Sequence, residues 1–144
     1  MLFPGAVAGV AQESREYRCT PDVKYECTRD RCEKITSDFQ QAESFAYDVE
    51  TSELSACLWT NCYAARATVL KDIASGTITA IGRLMPSAHP GNEPIIVSLT
   101  IDTAERRHTG DATAKKTADF TAIWSYGGKG LTFDMGRCSV QELK

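Results

Sequence analysis

Six cysteines constrain what this chain can fold into more than any other feature. They stand at Cys19, Cys27, Cys32, Cys57, Cys62 and Cys138 in a chain of 144 residues, and two pairs are separated by four residues each. Cys27 and Cys32 flank Thr28-Arg29-Asp30-Arg31, while Cys57 and Cys62 flank Leu58-Trp59-Thr60-Asn61. A four-residue loop brings its flanking strand residues opposite one another. Facing Cα atoms in an antiparallel pair lie about 4.5 to 5.5 Å apart, within reach of a disulfide. Spacing therefore favours two local hairpin clips, Cys27–Cys32 and Cys57–Cys62, and leaves Cys19 and Cys138 to clasp the first strand to the last. In the chain-entropy model a closed loop of roughly 120 residues contributes about 5 kcal/mol, against about 2 for each short loop. The rival reading is a structural zinc site, which needs four convergent ligands and closer pairs. The two histidines, His89 and His108, lie apart in polar loops, so no metal and no cofactor is expected. A disulfide framework of this kind belongs to an oxidising compartment, so the expected location is periplasmic or secreted.

From Phe45 onward bulky residues alternate with polar ones, the period of half-buried strands. Phe45, Tyr47 and Val49 share a face, Thr51-Ser52 make a turn, and Glu53 to Trp59 form the next run. Tyr63 to Lys71 reads as one strand and Asp72 to Gly76 as a turn. Thr77 to Met85 follows as a strand in which Gly82 marks a bulge or bend. Ile95, Val97, Leu99 and Ile101 give the clearest alternation and predict a central strand. Phe120, Ala122, Trp124 and Tyr126 align before Gly127-Gly128-Lys129-Gly130, a hairpin signal, and Leu131, Phe133 and Met135 then alternate with Thr132, Asp134 and Gly136. Upstream, Arg15 to Thr20, Val23 to Cys27 and Glu33 to Thr36 read as short strands, and Ser37 to Glu43 as one helical turn capped by Ser37. The predicted fold is all-β: an antiparallel meander of about eight or nine strands forming a small barrel or sandwich, stapled by disulfides. Residues 14–144 form a single β domain. Residues 1–13, with the apolar run Leu2 to Ala11, read as a signal-peptide remnant or a disordered tail.

Chemistry is sparse. His89 and His108 are the only candidate bases of that kind, and neither a nucleophile elbow nor a tellingly spaced carboxylate pair accompanies them. A net charge of −3 argues against nucleic acid, and no apolar stretch is long enough for a membrane-spanning helix. Two loops exceed turn length, Pro86 to Pro94 and Ala104 to Ala118, and the second carries Arg106-Arg107-His108, which could meet an anionic partner. Trp59, at a loop tip, is a candidate binding anchor, with packing over the neighbouring disulfide as the competing role. Trp124 reads as structural.

The segments Glu53 to Tyr63 and Leu131 to Cys138 resemble small secreted proteobacterial β-proteins of unassigned function, a likeness that spans most of the chain after Arg15. Tyr17-Arg18-Cys19 at the start and Cys138 at the end are faintly similar to the periplasmic C-type lysozyme inhibitors. That second likeness implies a small β-barrel with a terminal disulfide. The serine-, lysine- and tyrosine-bearing inhibitory loops of those proteins have no counterpart here. The expected function is an exported, non-enzymatic binding protein that contacts an envelope or secreted protein or acts as an inhibitor, through Trp59, Arg106, Arg107 and His108. Two alternatives stand beside it: a carrier of a small apolar ligand inside the barrel, and a hydrolase of unknown type.

Overall fold

In a computed structural model the alternating runs close into a ring. The structure describes residues 14–36, 43–59, 61–87, 93–103, 117–125 and 130–143. Ten strands follow one another: β1 (Ser14–Cys27), β2 (Cys32–Ile35), β3 (Glu43–Asp48), β4 (Glu53–Leu58), β5 (Asn61–Arg66), β6 (Thr68–Asp72), β7 (Thr77–Pro86), β8 (Ile95–Asp102), β9 (Thr117–Ser125) and β10 (Leu131–Leu143). Eight of them, β1-β3-β4-β5-β7-β8-β9-β10, form a closed antiparallel barrel that β10 seals by pairing along the whole of β1. β2 pairs with the last four residues of β1, and β6 pairs with the first half of β7.

The predicted pairing of the six cysteines is observed in full, as Cys19–Cys138, Cys27–Cys32 and Cys57–Cys62. Cys19 and Cys138 are direct register partners on the closing seam, both fully buried, and their bond bridges a sequence separation of 119 residues. The two clips sit at the same end of the barrel, here the clip end. The opposite end, where β1 begins and β10 finishes, is the terminal end.

Several local expectations change. Arg15–Thr20 and Val23–Cys27 are one strand, not two, because the register slips between Pro21 and Val23 and leaves Asp22 as an extra residue. The slip turns Pro21 inward on one side of it and Lys24 inward on the other. The close approach there requires Gly136 on β10, since a Cβ at that position would lie 2.3 Å from the Thr20 carbonyl oxygen. Gly82 carries no bulge and pairs regularly with Val97. The single strand expected over Tyr63 to Lys71 breaks at Ala67, whose N–H donates to the Ser52 carbonyl instead of to a neighbouring strand. The Asp72 turn forms as expected, with the Asp72 carboxylate accepting from the Ala74 N–H and Gly76 at φ 73°. The helical turn expected over Ser37 to Glu43 lies outside the described residues except for Glu43, which opens β3. Residues 1–13 also lie outside them.

The interior is packed by the predicted faces of β3, β4, β7, β8 and β9. Leu54, Ala80, Leu84, Ile95, Val97, Leu99, Ile101 and Ala122 are all fully buried, and the Phe45 and Phe120 rings meet across the barrel at 6.0 Å. β8 keeps the inward alternation the sequence predicted and pairs along its length with β7 and β9, although a closed barrel has no central strand.

Candidate functional site

β10 reverses the simple hydrophobic reading. Thr132, Asp134 and Cys138 point into the barrel, while Leu131 and Met135 stand on the outer wall. Two facts fix this phase. Cys138 must meet Cys19 inside, and residues an even number of places away in a strand share its face. Asp134 is four places away. The result is polar chemistry inside the clip end and apolar surface outside it.

Inside, four strands contribute to one cluster. Lys24 on β1 and Glu43 on β3 form a buried ion pair through Nζ and Oε2. The Trp124 Nε1–H on β9 donates to Asp134 Oδ2 at 2.8 Å, and the Lys24 ammonium lies 5.5 Å from the centre of the Trp124 ring. Asp134 is the register partner of Lys24. The Asp134 carboxyl is pushed up to about 7, chiefly by burial. The charge of Glu43 and a hydrogen bond with it raise it further, against the Trp124 hydrogen bond and the Lys24 charge. Two buried oxygens of this cluster, Glu43 Oε1 and Asp134 Oδ1, have no hydrogen-bond donor among the described residues. Spacing could not reveal the group, because its acids are 91 positions apart and its lysine reaches the interior through a register slip. The parity of Asp134 with Cys138 was the available signal.

Outside, Trp59 lies at the clip end. Leu58 pairs with Asn61, so the connection between β4 and β5 is two residues long and not the four-residue loop expected. The first central position of such a turn calls for positive φ and normally carries glycine, asparagine or aspartate. Trp59 adopts φ 59° there and is 72 % exposed. It does not pack away over the disulfide beside it. Around the same end the outer wall continues with Met85 on β7, opposite Ala64 of β5, then Ile96 on β8 and Leu131 on β10, all exposed. Ile81 and Met135 stand farther from the clip end on the same strands. Of the exposed large apolar side chains among the described residues, Leu70 and Ile73 alone stand apart, on the β6–β7 hairpin toward the terminal end.

Arg106, Arg107 and His108 lie outside the described residues, as does His89. The strand ends that flank the first three, Asp102 and Thr117, are at the terminal end, opposite Trp59. No helix among the described residues is long and apolar enough to cross a membrane. The outer wall of the barrel also differs from a lipid-facing one, which is apolar over about 25 Å of height. Toward the terminal end Thr100, Asp102, Asp119, Thr121, Arg137 and Ser139 alternate with the buried residues of β8 to β10, and β3 and β4 turn Ser44, Asp48, Glu53 and Ser55 away from the core. Comparison of the chain with family models, curated proteins and solved structures found no match.

Proposed function

We propose that this protein is an exported, non-enzymatic binding module whose clip end docks a folded envelope or secreted protein, with Trp59 as the anchor. One observation carries the reading: a tryptophan is held exposed, in a backbone conformation that costs about 1–3 kcal/mol for a residue other than glycine, at the tip of a disulfide-clipped hairpin. Neither folding nor core packing benefits from that arrangement. Exposed tryptophans are frequent energetic centres of protein interfaces, and Met85, Ile96 and Leu131 add exposed apolar side chains on the outer wall at the same end of the barrel. Three disulfides suit an oxidising compartment, which supports export. The fully buried side chains of the mid-barrel leave no water-sized gap beside them, which weighs against the apolar-ligand carrier.

Site-specific photocross-linking tests the proposal. A photoreactive residue placed at Ile96 or Leu131 is expected to give a discrete adduct with one partner, absent when the same residue replaces Leu70 or Ile73 and lost in Trp59→Ala. Adducts of equal yield at both ends, or adducts indifferent to Trp59→Ala, would remove the clip end as the docking surface.

A further inference from the structure

We propose that Asp134 and Glu43 hold a single proton between them inside the clip end, and that its release loosens this end, making the docking rim responsive to pH. The rim's role rests on the proposed function; the proton site does not.

The argument starts from the two orphaned oxygens. Among the described residues Asp134 Oδ1 and Glu43 Oε1 are both buried with no donor. Lys24 is the register partner of Asp134 and the ion-pair partner of Glu43, and Glu43 acts on the Asp134 carboxyl through its charge and a side-chain hydrogen bond. As two anions they repel in a region with little water to screen them. With one proton on Asp134, its O–H donates to Glu43 and both orphans are satisfied at once. Charge agrees with this count. Lys24 carries one positive charge and Glu43 one negative, so a neutral Asp134 leaves the cluster neutral, whereas an ionised one leaves a net negative charge inside the barrel.

Among the described residues the groups facing Asp134 are few. β1 contributes Lys24, β3 Glu43 and β9 Trp124, while β10 itself adds Thr132 and Gly136. The other strands turn Leu58, Tyr63, Leu84, Val97 and Leu99 inward, and of these only Tyr63 can ionise. Lys24 is already paired with Glu43. On deprotonation the proton leaves to water, and the new anion is opposed by Lys24 and by the Trp124 N–H. Glu43 pairs with Leu58, the residue before Trp59, while Thr132 directly follows Leu131 and Trp124 directly precedes Ser125 on the outer wall. Any rearrangement of the cluster is therefore passed directly to the rim.

The test needs no partner. In a Trp59→Phe background Trp124 is the sole tryptophan, and its emission is expected to change through a single titration centred near pH 7. Asp134→Asn, which keeps an acceptor for Trp124 and gives Glu43 an N–H, should abolish the change. Carbon-13 titration of the Asp134 carboxyl in the unmutated protein should show the same midpoint. Amide exchange at the start of β3 and the β9–β10 end, corrected for intrinsic pH dependence, should be about tenfold faster at pH 8 than at pH 6 in wild type and unchanged in Asp134→Asn. An Asp134 carboxyl ionising at an ordinary value near 4, or equal exchange at both pH values, would overturn the proposal, whatever Trp59→Ala does to binding.

Discussion

Asp134 is the residue on which the interior turns. Its unfolded reference is 3.8 and its folded value about 7. Between those values the folded protein retains a proton that the unfolded chain releases, so raising the pH favours unfolding by at most about 1.4 kcal/mol per pH unit. Below the window both states are protonated and above it both are ionised, so the dependence stops at each side. Urea unfolding of wild type should therefore weaken steadily from about pH 4 to pH 7, whereas Asp134→Asn should be flat across that range with respect to this group. Trp124→Phe leaves Asp134 Oδ2 without its donor and should cost about 1–3 kcal/mol by the same measurement. Neither role was legible from residue type. An aspartate between Phe133 and Met135 reads as the exposed position of a strand, and only its even spacing from the buried Cys138 identifies it as internal.

Elements differ in how openly they declare themselves. β8 and β9 alternate cleanly because their inward positions are all apolar and their outward ones are polar except for Ile96 and Ile123, and their inward residues were legible at once. β10 carries apolar residues on the face the barrel turns outward, so hydrophobicity alone assigned it the wrong phase. β1 concealed its continuity because Pro21-Asp22 reads as a break, although the chain accommodates it as a bulge against Gly136. Gly136→Ala would drive a methyl into the Thr20 carbonyl and should cost about 2–3 kcal/mol, checked by thermal unfolding. The β4–β5 turn was misjudged in length because a tryptophan occupies the place where glycine or asparagine would have signalled a two-residue hairpin. Trp59→Gly removes that backbone strain and should stabilise the protein by about 1 kcal/mol while abolishing the cross-link to a partner. A gain in stability with loss of binding separates a functional tryptophan from a structural one, since loss of stability is the outcome if Trp59 packs over its disulfide.

At the scale of the molecule, cysteine spacing alone located the seam at which the barrel closes. Replacing Cys19 and Cys138 together by alanine opens the longest loop and should lower stability by up to about 5 kcal/mol, against about 2 for either clip, measured by denaturant unfolding. The same clasp sets the inward phase of β10 and thereby both halves of the clip end, the proton-sharing cluster within and the apolar rim without. That division is the central claim, and comparing Asp134→Ala with Met135→Ser and Leu131→Ser in urea unfolding at pH 6 tests it most directly. The polar truncations at Leu131 and Met135 should each change stability by no more than about 1 kcal/mol, as expected of side chains already 46 % and 36 % exposed. Asp134→Ala, which strands Trp124 and Glu43 in the interior, should cost about 2–4 kcal/mol. The reverse order, a tolerated Asp134→Ala and costly changes at Leu131 and Met135, would mean that β10 presents its other face to the core and would contradict the account.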